Sequence, residues 1–158
     1  MMTRKAAVKI CSYEKKFFEG IEALWEDVFP DDPPWNAASV AVPEKLKQQP
    51  ALFIIATVDD GVDDGVDDGD KVVGSIMAGY DGHRGWLYAL AVLNAYRNKG
   101  VGTALVTEAE QRLEAIGCKK INLQVRSQVR SMNDDIIAFY ERLGYAVEDR
   151  VSMGKRSP

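Results

Sequence analysis

The chain has 158 residues, of which 46% are apolar and 28% charged, with a formal net charge of −4. That length suits one domain spanning residues 1–158 with its own core, and the composition excludes wholesale disorder and fibrous repeats. No run approaches the roughly 20 apolar residues that cross a bilayer, and the stretch from Met1 to Ile10 offers only Ala6, Ala7 and Val8 before Lys9, too little for a signal peptide, so a cytoplasmic protein without a membrane partner is expected.

Ala6 to Cys11 reads as a first strand. Phe17, Ile21, Leu24, Trp25 and Val28 recur at helical spacing and make one apolar stripe, with Ser12 placed to cap the helix and Pro30 beyond its end. Asp31 to Asn36 connects it to a shorter helix near Pro43 to Gln48. Strands are predicted at Leu52 to Val58 and Val72 to Tyr80, then at Trp86 to Leu93. Val101, Leu105, Ala109, Leu113 and Ile116 mark a helix closed by Gly117. A strand at Ile121 to Val125, a helix carrying Ile136, Ile137, Tyr140 and Leu143 that ends at Gly144, and a strand at Tyr145 to Met153 complete the order. Strand, two helices, three strands, helix, strand, helix, strand is an α+β arrangement on a mixed sheet, with a hairpin meander in the middle and helical crossovers after Leu93 and Val125.

Between the second and third strands lies a fourfold-spaced acidic repeat of the form Val-Asp-Asp-Gly, from Val58 to Gly69. Asp-Gly between strands is a hairpin signal, so residues 58–70 are expected to form an acidic hairpin loop; the spacings of known calcium loops are absent, and no metal is expected. Seven aspartates fall between Asp59 and Asp70, and with them left out −4 becomes +3. A mildly basic remainder suits a small anionic ligand and is too weak for a nucleic-acid groove. Cys11 and Cys118 form no CxxC, and His83 is the chain's one histidine, so neither a disulfide framework nor a zinc site is indicated.

The chemistry is concentrated where the apolar strand Leu90, Ala91, Val92 runs through Arg97, Asn98, Lys99, Gly100, Val101, Gly102 and Thr103 into a helix. Glycines allow close approach of backbone to an anion, the first helical N–H groups point at it, and Arg97 and Lys99 add charge. Leu105 stands where a dinucleotide fingerprint needs Gly or Ala, and no Gly-Lys-Ser/Thr follows as in a P-loop. The remaining pattern, Arg-x-x-Gly-x-Gly over Arg97 to Gly102, is joined by a second block in which Asn133 precedes Tyr140-Glu141 by seven residues and Gly144-Tyr145 follows. With these two blocks in order, the chain resembles the GNAT family of acyl-CoA-dependent N-acetyltransferases over essentially its whole length, and Tyr80 to Gly85 with Pro34 to Asn36 resemble a small bacterial branch of YpeA-type members.

The resemblance implies the GNAT fold, with a central mixed sheet of about six to seven strands flanked by about four helices, and transfer of acetyl from acetyl-CoA to a primary amine by direct attack. It places the pantetheine arm along Leu90 to Val92, the diphosphate within Arg97 to Thr103, and Asn133 against the pantetheine. Tyr140 takes the general-acid role at the departing thiolate; its place on the apolar stripe equally suits a core tyrosine. Many members carry a carboxylate or imidazole on the strand before the diphosphate loop, where this chain has Trp86-Leu87-Tyr88-Ala89. The base is then sought in Asp81 and His83 of the preceding turn, or in a water held by Tyr88; both turn residues also have ordinary turn-forming explanations. Trp35 and Asn36 fall where the fold overhangs the acceptor, a small-molecule or protein amine. A homodimer would be unsurprising. The alternative is a CoA-binding or regulatory module that keeps the fold without turnover, which the missing strand carboxylate favours.

Overall fold

Phe53 to Val58 and Val72 to Ala78 are nearly continuous apolar runs, the pattern of strands covered on both faces. In the computed structural model, which describes residues 7–59, 70–126 and 130–158, they lie at the centre of a five-stranded sheet. The strands β1 (Val8–Ser12), β2 (Phe53–Asp59), β3 (Asp70–Tyr80), β4 (Gly85–Val92) and β5 (Ile121–Leu123) stand in that spatial order. The first four pair antiparallel, and β5 runs parallel to β4. β2 and β3 pair down to the hairpin's base at Asp59 and Asp70, with one register shift between Ala56 and Thr57. The hairpin expected for the repeat is described as far as that pair; residues 60–69 lie outside the described residues.

Side chains alternate across β3 and fix the two layers. Ser75 faces α1 (Phe18–Val28), where it meets Trp25, whereas a Cβ at Gly74 would fall 3.0 Å from Leu105 and 3.2 Å from Val101 of α3 (Val101–Ala115). On the first face Phe17, Ile21, Leu24 and Trp25 pack with Val42 of α2 (Ala38–Lys47) against Phe53, Ile55 and Met77. On the second, Leu105, Val106, Ala109 and Leu113 are fully buried. Short 3-10 turns at Lys15–Phe17, Pro34–Asn36, Pro50–Leu52 and Asn94–Tyr96 join these elements.

The chain divides into two compact units, Met1–Leu123 and Gln124–Pro158. The second holds α4 (Arg130–Arg142), closed by Gly144 at φ +96 with the Tyr145 N–H on the Tyr140 carbonyl at 3.0 Å.

Three expectations are corrected. Ser12 caps no helix: α1 begins after a 3-10 turn without a side-chain cap, and the Ser12 hydroxyl accepts from Arg112 Nη1 at 2.9 Å. The predicted strand at Tyr145 to Met153 is not formed. Glu148, Asp149 and Arg150 interrupt its alternation, the Arg150 N–H turns back onto the Glu148 carbonyl at 3.0 Å, and Val151 and Met153 are left 89% and 92% exposed. The sheet of the described residues therefore has five strands where six to seven were expected.

Candidate functional site

β4 is regular over its first three residues and irregular after them. Gly85, Trp86 and Leu87 pair with Ile121, Asn122 and Leu123, where the β5 ladder stops among the described residues. On the other side, β3 pairs Met77 with Tyr88 but Ser75 with Ala91, so β4 carries one residue in excess. This is a β-bulge, which bends and twists the strand, and Ala89 sits in it at φ +54. Beyond Leu87, β4 thus continues to Val92 with no β5 partner, leaving a strand edge whose backbone groups can receive an extended ligand.

At the end of that strand the chain enters the basic loop. Asn98 and Gly100 are left-handed, at φ +60 and +84, the geometry that turns successive N–H groups toward one side and builds an anion-binding concavity. Ala104 N–H is bonded to the Gly100 carbonyl, and the N–H groups of Val101, Gly102 and Thr103 ahead of it belong to the unpaired first turn of α3. A Cβ on Gly100 would meet nothing within 4 Å, so the space beside this residue is open among the described residues. Arg97 Nε donates to the Val92 carbonyl at 3.1 Å, pinning the loop to the strand. Lys99 lies over the Tyr96 ring at 5.5 Å, and Lys71 of β3 lies 6.0 Å from the same ring. Lys71 and Lys99 therefore flank the Tyr96 ring, in the loop that leads with Arg97 into α3.

The turn before β4 is a different environment. Asp81 Oδ1 accepts from the N–H groups of His83 and Arg84 at 2.8 and 2.7 Å, and Oδ2 accepts from Trp86 Nε1 at 3.2 Å. These bonds, led by those from the backbone, hold its carboxyl below the usual range, so Asp81 stays ionised and its oxygens are engaged. His83 is exposed in the same turn. From Gly85 to Ala89 is four residues, roughly 13 Å of strand rise, so the turn and the bulge are separate places.

Nearer the bulge stands a residue that the sequence reading passed over. Lys45, on the inner face of α2, is only 5% exposed. Its Nζ donates to the Ala78 carbonyl and lies 5.7 Å from the Tyr88 ring centroid. No carboxylate pairs with it among the described residues, and burial pulls its pKa down to about 8. Trp86 and Tyr88 are 37% and 46% exposed and share the α1 and α2 face, since they pair with Gly79 and Met77 of β3. Trp35, in the 3-10 turn between those helices, is also exposed.

Within the second unit, Tyr140 is buried, with edge-on contacts to Phe139 at 5.0 Å and Tyr145 at 5.7 Å. Burial pushes its phenol up to about 12, so it keeps its proton at neutral pH. Asn133 falls in α4, its side chain outside the described residues.

Residues 17–145 match the model of the acetyltransferase (GNAT) family. The chain belongs to that family. It is 37% identical over 151 residues to an acetyltransferase of Yersinia pestis (strain Pestoides F), covering 94% of this chain and 95% of the relative, and 42% identical over 142 residues to one of Sodalis glossinidius, covering 88% of each. Among solved structures it is similar to the aminoglycoside N-acetyltransferase AAC(6')-Iy in complex with CoA, at a TM-score of 0.72 and 17% identity over 99% of both chains. It is also similar to Ard1 from Thermoplasma volcanium, at 0.71 and 22% identity over 90% of this chain and 84% of that one. As a GNAT acetyltransferase, the chain carries Leu90 to Val92 and Arg97 to Thr103 on one continuous strand, loop and helix entry, as the sequence spacing required. Asp81 and His83 lie together in the turn at the strand's other end. The sequence reading missed Lys45, whose only signal is a lysine at the third position of the buried series Ala38, Val42, Lys45, and Lys71, brought to the loop by strand pairing alone. A cavity of about 340 Å³ lies beside Lys71 and Leu93, lined also by Lys16, Glu19 and Asp70.

Proposed function

We propose that this acetyltransferase moves the acetyl group of acetyl-CoA to a primary amine by direct attack. The observation that carries the proposal is the continuity of an unpaired strand edge after Leu87 with a left-handed, cationic loop at the N-terminus of α3. Those residues fit the donor. The strand edge from Leu90 to Val92 suits an amide-bearing arm, and the free first-turn N–H groups with Arg97, Lys99 and Lys71 suit a diphosphate. Asn133 is assigned to the arm by the motif alone. Acetyl-CoA supplies the acetyl group as a thioester; the chain binds it, orients it and handles protons. Tyr140, with its phenol held protonated, is the group assigned to give a proton to the departing sulfur.

A lysine-like amine with a pKa near ~10.4 must lose a proton before it attacks. Asp81 and His83 are the proposed acceptor-side pair. Asp81, engaged by three donors, supplies a fixed negative charge that draws an ammonium group, and the His83 imidazole is assigned to take the proton. Trp35, Trp86 and Tyr88 add aromatic faces suited to a cation. The absence of any carboxylate or imidazole on β4 itself favours a second reading, a CoA-binding module without turnover. Thiol release from acetyl-CoA across a panel of small-molecule and peptide amines, with mass detection of the products, separates the two. The first reading requires amine-dependent thiol and an acetylated product, and the second gives CoA affinity with neither.

A further inference from the structure

We propose that Trp25 and Ser75 act as a positioning pair that fixes the β4 bulge at Ala89 and so sets the geometry of the strand edge that receives acetyl-CoA; the inference rests on the donor-binding role assigned to Leu90 to Val92. Ala89 has a φ of +54, a conformation that a residue with a Cβ holds only when its surroundings impose it. The surplus residue opposite Ile76 interrupts the ladder, and the Ser75 hydroxyl supplies a donor there, giving its hydrogen to the Ala89 carbonyl at 3.0 Å. A serine hydroxyl has one hydrogen and is free to rotate. Here Trp25 Nε1 donates to the same oxygen at 2.9 Å, which occupies a lone pair and leaves the hydroxyl hydrogen directed at Ala89.

Ser75 is wholly buried and Trp25 is 6% exposed, so water is not at hand to replace either bond. The relay runs from α1 through β3 to β4, three elements joined at the point where β4 loses its β5 partner. Neither residue belongs to the Arg97 to Thr103 loop. Their effect is on the path of the strand, through the direction of one carbonyl.

The test uses Ser75→Ala, Trp25→Phe, the double variant and Ser75→Thr, with Leu113→Val as a core truncation near the C-terminal end of α3, beside Gly85 and away from the bulge. Acetyl-CoA affinity is read by calorimetry, and backbone amide exchange of Tyr88 to Ala91 is read without ligand. The Kd is expected to rise roughly 3- to 10-fold in Ser75→Ala and Trp25→Phe, as for one hydrogen bond, with the double variant no worse than Ser75→Ala. Exchange in the Tyr88 to Ala91 segment is expected to quicken. Ser75→Thr, which keeps the hydroxyl, restores both readings, and Leu113→Val lowers the melting temperature without moving either. Unchanged segment exchange in Ser75→Ala and Trp25→Phe overturns the positioning pair whether or not acetyl-CoA binds. An acetyl-CoA affinity unchanged in both single variants, where the wild type does bind, overturns the pair's link to the donor. Failure of the wild type to bind acetyl-CoA overturns instead the donor-binding assignment on which that link rests.

Discussion

Replacing Lys45 by Met removes a charge from the apolar face of α2 while keeping most of its aliphatic length. In the folded protein the ammonium pKa falls from 10.5 to about 8 because burial strips its water, a difference worth about 3 kcal/mol at 1.36 kcal/mol per unit. The folded state binds fewer protons than the unfolded chain between those two values. The penalty is therefore fully present below pH 8 and is relieved as pH rises toward 10.5, so wild-type stability gains with pH in that window. Methionine has no such term but leaves the Ala78 carbonyl without its Lys45 donor, a loss of about 1–3 kcal/mol. At pH 7 the two effects oppose each other, and the variant should lie within about 2 kcal/mol of wild type. Between pH 7 and pH 9.5 the wild type should gain about 2 kcal/mol relative to the variant, or roughly 4–8 °C in melting temperature for a domain of this size. Urea unfolding of both proteins at pH 7, 8 and 9.5 reads that difference directly. Parallel stability profiles would refute a desolvated ammonium at Lys45.

Acetyl-CoA should protect the wild type against thermal unfolding; Gly100→Glu should abolish this, because its carboxylate would project into the open space beside Gly100 and repel the diphosphate. Equal protection in both proteins would remove Arg97 to Thr103 from the donor site. Tyr140→Phe should preserve CoA affinity and lower kcat by roughly 10- to 1000-fold, and an unchanged kcat would return Tyr140 to a purely packing role. Asp81→Asn should raise KM for amines more than it lowers kcat if its charge attracts the acceptor, whereas His83→Ala should lower kcat and remove a pH-dependent limb of the rate profile if the imidazole takes the proton. Cutting residues 61–68 to a two-residue Asp-Gly turn should leave melting temperature and turnover unchanged, because loop-closure entropy varies only slowly with length. A calcium-dependent melting temperature in the intact chain, lost on shortening, would contradict that expectation.

Much of this architecture was legible because its signals are local. The stripe of Phe17, Ile21, Leu24 and Trp25 announces α1, and the basic glycine loop after Val92 announces the entry to α3. Ala89 carried no such signal. Its left-handed backbone depends on pairing β3 to β4 out of step, with Ser75 and Trp25 arriving from positions far away in sequence. Lys45 carries little signal of its burial in the sequence, since only the docking of α2 on the sheet turns its side chain inward. Tyr145 to Met153 reads as a strand by alternation, yet alternation does not supply a ladder partner, and a charged triplet at Glu148 to Arg150 takes the chain through a turn instead.

Direct transfer is tested most sharply by mixing the protein with acetyl-CoA labelled in its acetyl group, with and without an amine acceptor from the panel, and following thiol release and the location of the label. The account predicts thiol only when amine is present, one acetylated amine for each thiol freed, and no label left on the protein. Label retained on the protein without amine would contradict direct attack, and tight binding of acetyl-CoA with no thiol released for any amine would contradict turnover itself.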